Sequence, residues 1–251
     1  MPPQKPFSKR PPSRPDRDGP VWIYGRHAVA AVLANKTRHQ HKLMATKNAL
    51  DWLKEHGLDI PVEAVTPKAL DDALPQGAVH QGLAVKVNPL PDRKIDEVCD
   101  PSAPGPVVVL DQVTDPQNIG AIFRIAAAFG AQAIIAQDRR TPPLSGALAK
   151  AAVGAVELVP FVSVVNIARA LGQLNDLGFH TVGLAGEADA DLPAFKSDRP
   201  VALVLGAEGK GLRELVRGTC ETLVSIPIDE RVESLNVSSA ASISLYALTR
   251  R

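Results

Sequence analysis

The feature that most constrains the fold of this 251-residue chain is a regular alternation of apolar runs and amphipathic stretches in its second half. Val107–Leu110 is an unbroken run of aliphatic residues, which is typical of a strand buried on both faces. Further strands are predicted at 133–136, 158–159, 181–184, 201–205 and 223–226, with helices at 119–129, 146–153, 164–177, 212–217 and 237–248. This alternation predicts an α/β domain built on a parallel sheet with helices on both faces.

The front of the chain has the pattern of a smaller α/β unit. Residues 25–35 have helical spacing, and further helices are predicted at 49–56 and 67–74, with strands at 42–46, 62–65 and 82–87. Five prolines then fall between Asn88 and Pro106, which indicates a linker. We therefore divide the chain into a basic tail (1–20), a front domain (21–88), a linker (89–106) and a second domain (107–251).

Composition excludes several classes of protein. No apolar run reaches the ~18 residues that a transmembrane helix needs, and the proline-rich start has no apolar core of a secretory signal. The two cysteines, Cys99 and Cys220, are far apart, and the six histidines show no ligand spacing. We therefore expect a cytoplasmic protein that uses neither a membrane nor a metal.

Charge gives weak guidance on the partner, since the formal net charge is only +1. Residues 1–20 hold five basic and two acidic side chains, and a second basic stretch runs from Lys36 through Arg38 to Lys47. Both segments could contact RNA or could be solvated surface, and charge alone favours the solvated alternative.

Ligands of parallel sheets bind at the carboxyl ends of the strands, and the loop after Leu110 carries the first unusual sequence there. It reads LDQVTDPQNIGAIFR, and Asn118 is predicted to cap the following helix. Arg124 points away from the helix's apolar stripe, and Gly120, one turn earlier, is expected to leave open space beside it. An arginine so placed can hold a phosphate with two hydrogen bonds, although an ordinary surface arginine fits the pattern too.

The second loop, LGAEGKGL, follows the strand that ends at Leu205. A dinucleotide fingerprint would need a glycine where Glu208 stands, and its carboxylate would repel a pyrophosphate. The loop therefore suits a ligand that approaches the backbone closely and tolerates negative charge, such as a nucleoside with a cationic sulfonium. A purely structural turn is the alternative.

The third loop, IPIDERVESLN, precedes a helix rich in small residues, which permits close packing or a dimer interface. Ser234 and Asn236 stand where they could cap that helix. No HExxH, CxxC or GxSxG motif occurs, so zinc hydrolases and serine hydrolases are poor alternatives.

The three loops together resemble the three signature motifs of the SpoU branch of the SPOUT RNA methyltransferases, also called the TrmH family. The matching segments are DPQNIGAIFR, LGAEGKGL and IPIDERVESLNVSSA, in the expected order. At the front, IYGRHAVAAVL and VHQGLAV resemble the RNA substrate-binding domain that precedes the catalytic domain in many members. The likeness covers about residues 21–249.

This resemblance implies an S-adenosylmethionine-dependent RNA 2′-O-ribose methyltransferase with a C-terminal trefoil knot, acting as a homodimer with active-site residues contributed across the interface. It implies donor binding by Gly206, Ala207, Glu208, Gly209, Ile226, Pro227, Leu235, Asn236 and Ser239, and no metal. It gives catalytic roles to Arg124, Asn118, Glu208, Ser234 and Asn236.

The front domain makes the chain most similar to bacterial members that methylate a guanosine of 23S rRNA. A tRNA guanosine methyltransferase and a resistance-type rRNA adenosine methyltransferase have the same architecture and are open alternatives. An RNA-binding ribosome assembly factor that does not catalyse is the alternative from another class; the presence of Asn118 and Arg124 argues against it.

Overall fold

The structure is a computed structural model, and it describes residues 19–249. The predicted basic tail therefore lies outside the described residues, apart from Gly19 and Pro20. The front unit consists of β1 (Val21–Tyr24), α1 (Arg26–Ala34), β2 (Gln40–Ala45), α2 (Lys47–Glu55), α3 (Pro67–Ala73) and β3 (Leu83–Val87). Its three strands form an antiparallel sheet in the order β1-β3-β2.

One predicted strand of the front unit, at 62–65, is wrong. That segment has no regular structure, and Val65 N–H donates only one hydrogen bond, 2.8 Å long, to Ala45 O of β2. Thr66 then caps α3, whose first residue is Pro67, so the chain turns into a helix before a ladder can form. The third strand of the sheet is β1, which the sequence pattern did not predict.

The second unit is a six-stranded parallel sheet in the order β6-β5-β4-β8-β7-β9. Its strands are β4 (Val107–Leu110), β5 (Ala133–Gln137), β6 (Phe161–Val164), β7 (His180–Leu184), β8 (Val201–Leu205) and β9 (Thr222–Val224). Its helices are α5 (Pro116–Ala128), α6 (Gly146–Ala151), α7 (Ile167–Leu177), α8 (Glu214–Thr219) and α9 (Val237–Thr249), and a short α4 (Ile95–Val98) precedes β4. The parallel sheet expected from strand–helix alternation is thus confirmed.

The helices cover both faces of this sheet because their apolar stripes match its two faces. One core joins α5, α6 and α9 to Val108 and Leu110, whose side chains point to one side, and the other joins α4 and α7 to Val107 and Val109 on the opposite side. The strand predicted at 158–159 is wrong: Leu158 is 73% exposed behind a 3₁₀ turn (Ala155–Glu157), and β6 begins at Phe161.

The two units are packed directly against each other through α1, β1, α6 and the 3₁₀ turn. Ala149 of α6 is buried in the hydrophobic core of the front unit. Gly154 has φ +90°, and a Cβ atom there would lie 2.6 Å from the Cβ of Ala31 in α1, so only glycine fits. Within residues 19–249, no helix is long and apolar enough to cross a membrane.

Candidate active site

The carboxyl edge of the parallel sheet brings the unusual loops together. β4 and β8 are neighbours in the sheet, and residues Leu110 and Leu205 at their ends are paired. A cavity of about 320 Å³ opens at this edge, lined by the loops that follow β7, β8 and β9 and by the start of α9. This is the edge at which parallel sheets bind ligands.

The β8–α8 loop is folded so tightly that two of its positions require glycine. A Cβ atom on Gly206 would lie 2.2 Å from the carbonyl carbon of Gly211, and Gly211 itself has φ +62°. Ala207 and Gly211 exchange two backbone hydrogen bonds of 3.2 and 2.9 Å. The turn thereby presents Glu208 at its tip, beside the cavity.

An ion pair with a buried carboxylate fixes this loop to the end of β4. Asp111 is fully buried, and its carboxylate accepts hydrogen bonds from Arg213 N at 3.0 Å, Nε at 2.8 Å and Nη2 at 2.6 Å. The neighbouring Cys220 thiol has its pKa raised to about 12, first by burial and then by the negative charge of Asp111. This cysteine is therefore an inert thiol and not a nucleophile.

Each of the three loops contributes one side chain to a single polar cluster. Asn118 Nδ2 donates to Glu208 Oε1 at 3.0 Å, and Asn236 Nδ2 donates to the same oxygen at 2.7 Å and to Asn118 Oδ1 at 3.0 Å. Asn236 Oδ1 accepts from the N–H groups of Ser238 and Ser239, so this residue also caps α9. Asn118, Glu208 and Asn236 therefore hold one another in place.

Two expectations about the first loop are wrong. The N-cap of α5 is Asp115, whose side chain accepts from Asn118 N–H at 2.8 Å, so Asn118 lies inside the first turn with its amide free to reach Glu208. Gly120 leaves no open space, because a Cβ atom there would lie 2.5 Å from the Cβ of Ala151. That glycine permits the close packing of α5 on α6.

Arg124 is exposed, as its position opposite the apolar stripe predicted, and it does not join the cluster. It follows Asn118 by six positions along the helix, which turns the two side chains about 120° apart around α5. Among the described residues it has no hydrogen-bond or ion-pair partner. The guanidinium is thus free for a ligand, on a different side of α5 from the Asn118 amide that contacts Glu208.

Comparison with known proteins decides the family. Residues 105–246 match the model of the SpoU rRNA Methylase family, and residues 22–93 match that of the RNA 2′-O ribose methyltransferase substrate-binding domain. The chain belongs to the SpoU rRNA methylase family. The match spans the loops after β4, β8 and β9, which supply the polar cluster.

Relatives are similar over nearly the whole chain. The chain is 41% identical over 243 residues to the 23S rRNA (guanosine-2′-O-)-methyltransferase RlmB of Photobacterium profundum, covering 91% of this chain and 97% of that protein. The RlmB of Vibrio vulnificus is 38% identical over 244 residues, covering 92% and 96%. The SpoU methyltransferase AviRb from Streptomyces viridochromogenes, solved with AdoMet, has a TM-score of 0.76 at 22% identity, covering 92% and 90%, and shares the fold.

Most of the residues predicted to bind the donor in this SpoU family member line the cavity, and some do not. Those that line it are Gly206, Ala207, Glu208, Gly209, Ile226 and Leu235; Ser234, which was predicted to be catalytic, lines it too. Pro227, Asn236, Ser239 and Arg124 are not among its lining residues, although Asn236 contacts the cavity wall through Glu208.

Sequence reasoning missed the loop after β7. Residues 184–187 line the cavity, and Glu187 pairs there with Arg217 of α8. The signal was available only in the order of the sheet: β7 lies between β8 and β9, whose loops both carry motifs, so its own carboxyl end must open on the same space.

The cavity combines apolar walls with a negative side. Leu184, Leu205 and Leu235 supply apolar surface suited to a planar ring. The charged lining residues are three acids, Glu187, Glu208 and Glu233, and two bases, Lys210 and Arg217, of which Arg217 pairs with Glu187. Among the described residues, no group of three or more potential ligand side chains could hold a metal ion. The arrangement therefore suits an organic ligand that has an apolar part and a positive charge.

Proposed function

We propose that the chain is an S-adenosylmethionine-dependent RNA 2′-O-ribose methyltransferase that modifies a guanosine of 23S rRNA. The observation that carries the proposal is the convergence of Asn118, Glu208 and Asn236, one from each family motif, beside a cavity at the carboxyl edge of the sheet. The relatives that support the substrate are named as 23S rRNA guanosine methyltransferases and match more than nine-tenths of the chain.

The cavity fits the methyl donor in size and chemistry. Its volume of about 320 Å³ lies in the range of small-molecule sites, and its glycine-bounded loop brings backbone groups close to a ligand. Gly206, Ala207, Glu208, Gly209, Ile226 and Leu235 would hold the donor, with Pro227, Asn236 and Ser239 supporting them. When bound, S-adenosylmethionine would supply a methyl group on a positively charged sulfonium, and the Glu208 carboxylate in the cavity lining is compatible with that charge.

The residues of the chain mainly position the reacting ribose. A guanidinium stays protonated in proteins and is a poor base, so we assign Arg124 to the phosphate beside the target 2′-hydroxyl. Asn118, Asn236 and Ser234 orient the ribose, and both amides fix Glu208 through its Oε1. Orientation of this kind can contribute several kcal/mol, on the order of 7, to lowering the barrier.

The placement of Arg124 favours a homodimer in which this residue serves the cavity of the other subunit. The guanidinium lies about 120° around α5 from Asn118, which contacts Glu208, and this arrangement supports its use by a second copy. Helix α9 exposes Ile243 and Tyr246, which are 43% and 51% accessible, as an apolar surface for such a contact. The proposal also includes the C-terminal trefoil knot, which is typical of the family.

The domain division follows the same proposal. The separate family matches at 22–93 and 105–246 support a substrate-binding front domain (21–88), a linker (89–106) and a catalytic domain (107–251). Because the RNA of bacterial ribosomes is in the cytoplasm, we infer that the protein acts there.

The test of this function is methyl transfer by the purified protein to ribosomal RNA from a strain that lacks the gene. We expect one guanosine of 23S rRNA to gain a 2′-O-methyl group, and Arg124→Ala to abolish transfer while donor affinity by calorimetry stays within a few-fold. Arg124 is exposed, so the variant should keep its melting temperature. Transfer confined to tRNA or to an adenosine would overturn the substrate, and an Arg124→Ala rate above about a tenth of the original would overturn the role of this residue.

Mixed dimers test whether Arg124 acts across the interface. Arg124→Ala and Glu208→Gln are each expected to be inactive as homodimers. A mixed dimer would then contain one cavity with both residues intact, so an equilibrated equal mixture should recover about a quarter of the activity. No recovery, with subunit exchange verified by mass-tagged protein, would show that each site uses its own Arg124.

A further inference from the structure

A second cleft lies in the front unit, away from the cavity at the sheet edge. It has a volume of about 730 Å³ and runs between the β2–α2 connection at Thr46–Asn48 and the loop at His80–Gly82 that precedes β3. Arg26, at the start of α1, lines it together with Lys47. None of the residues that line this cleft belongs to the polar cluster of Asn118, Glu208 and Asn236.

The walls of this cleft are fixed by contacts that leave little freedom. Thr46 N–H donates to Gly82 O at 2.8 Å, and a Cβ atom on Gly82 would lie 2.4 Å from Thr46 Oγ1. His80 Nδ1 accepts from Gly82 N–H at 3.0 Å, and its Nε2 contacts Asp71 Oδ1 at 3.1 Å. Gln81 adopts φ +54° between them, and its side chain accepts from Arg26 N–H at 3.2 Å. The opening is thus a rigid feature of the front sheet.

An aromatic ring holds the arginine of this cleft, and no ion pair with a described residue neutralises its charge. The Arg26 guanidinium lies 5.5 Å from the centre of the Trp52 ring, a cation–π contact, and its Nε is buried without a hydrogen-bond partner among the described residues. Neither Arg26 nor Lys47 makes an ion pair with a described residue. Arg26, held over Trp52, and the exposed Lys47 therefore line the same cleft without an ion-pair partner among the described residues, which favours an anionic ligand.

Aromatic rings continue the surface beside Arg26. His56 stacks on Trp52 with ring centres 4.0 Å apart. Its Nδ1–H donates a hydrogen bond of 2.8 Å to Trp52 O, which fixes the ring. His27 meets the same indole edge-on at 5.4 Å. Both histidines are exposed on the surface beside Arg26, although neither lines the cleft, and RNA bases stack on exposed rings of this kind.

The cleft also adjoins the catalytic unit on the side of Arg124. A Cβ atom on Gly25 would lie 3.4 Å from both Gln81 Oε1 and Lys150 Cγ, which places Lys150 of α6 next to the cleft. Helix α6 packs in turn on α5 at Gly120, one turn before Arg124. An RNA strand bound in the cleft would therefore pass the cationic side chain of Lys150 on its way to α5.

We propose that this cleft binds a single-stranded segment of the RNA substrate, with a phosphate on Arg26 and Lys47 and a base stacked on the exposed histidine rings. The inference rests on the proposed function and deepens it, since it gives the front unit a specific site. Single-stranded RNA is favoured over a duplex because only splayed-out bases reach aromatic rings.

The experiment compares Arg26→Met/Lys47→Met with Lys54→Met in the full-length protein. Lys54 lies on the same helix as Lys47 but outside the cleft, so its variant loses charge without altering the site. We expect the double variant to raise the KM for 23S rRNA about tenfold or more, with kcat and donor affinity within about twofold. Its affinity for a short single-stranded RNA oligonucleotide should fall similarly, and the slope of log Kd against log salt should decrease by about one to two.

Lys54→Met is expected to change each quantity less than about twofold. Should the double variant lose its melting transition, Arg26→Lys serves instead: it keeps the charge but not the planar fork, so KM should rise by a smaller factor. An unchanged KM in a folded variant, or equal affinity for a duplex of the same sequence, would overturn the cleft as a single-strand site while the original protein still transfers methyl groups. If the original protein transfers none to any RNA, the proposed function fails instead.

Discussion

Two ion pairs between an arginine and a buried carboxylate differ in how completely they are hydrogen-bonded. Inside the catalytic unit, Asp111 accepts three hydrogen bonds of 2.6–3.0 Å from Arg213, one of them from its backbone N–H. Between the two units, Arg38 lies 3.6 Å from Glu157, and none of its three guanidinium nitrogens has a hydrogen-bond partner among the described residues. Both carboxylates are buried, but the Arg213 side chain is 39% exposed and that of Arg38 only 3%, so the pairs differ in solvent access to the arginine as well as in hydrogen bonding.

We infer that the Asp111–Arg213 pair stabilises the site, whereas the Glu157–Arg38 pair only occupies space between the two units. Burying a charge costs several kcal/mol of desolvation free energy. The attraction within the pair offsets about as much, but only where the hydrogen bonds of both groups are satisfied. Asp111 meets that condition and ties the β8–α8 loop to β4. Arg38 does not: burial lowers its pKa, and the attraction of Glu157 raises it only in part.

Arg213→Met is expected to have the larger effect of the two perturbations. It leaves the fully buried Asp111 carboxylate with only the backbone N–H as a donor, so the free energy of unfolding should fall by about 3 kcal/mol. The β8–α8 loop loses its anchor, and donor affinity should fall at least about tenfold. Urea unfolding and calorimetry measure the two effects.

The thiol of Cys220 gives a local control for that variant. In the original protein its pKa of about 12 and its burial keep alkylation slow at neutral pH, and Cys99, with a pKa also raised to about 12 by burial, behaves alike. Release of the loop should accelerate alkylation of Cys220 but not of Cys99. Equal acceleration of both would indicate global unfolding, and no change in stability or labelling would contradict the anchoring role of Arg213.

The catalytic unit was largely predictable because its pattern is local. Val107–Leu110 and Val201–Leu205 are continuous aliphatic runs, and both are buried strands with the predicted bounds. Their carboxyl ends carry the motif loops, so the convergence of Asn118 and Glu208 follows from the parallel topology. The contribution of residues 184–187 did not follow, since nothing in that segment is unusual until the order of the sheet is known.

Features at the boundary between the units were not predictable. Arg38 belongs to a basic stretch that the sequence offered as an RNA-binding or solvated surface, yet it is 7% exposed and packs on Glu157. Both alternatives for that residue are wrong. Burial there depends on the docking of α1 against the 3₁₀ turn, which Gly154 permits, and no periodicity in either segment encodes that contact.

The smallest effect is expected when each pair is replaced by neutral residues of similar shape. In Arg38→Met/Glu157→Gln no hydrogen bond of the guanidinium is lost, and the new amide oxygen can still accept from Asn35 Nδ2, which now donates to Glu157 at 2.8 Å. Removing two desolvated charges offsets their weak attraction, so the free energy of unfolding should change by less than about 1 kcal/mol. The matched variant Asp111→Asn/Arg213→Met loses charged hydrogen bonds and should cost about 2 kcal/mol. Urea unfolding of the two double variants, side by side, decides between them: equal losses would show that hydrogen bonding does not distinguish the pairs, and a loss above about 3 kcal/mol for the first would make Arg38 and Glu157 an essential contact between the units.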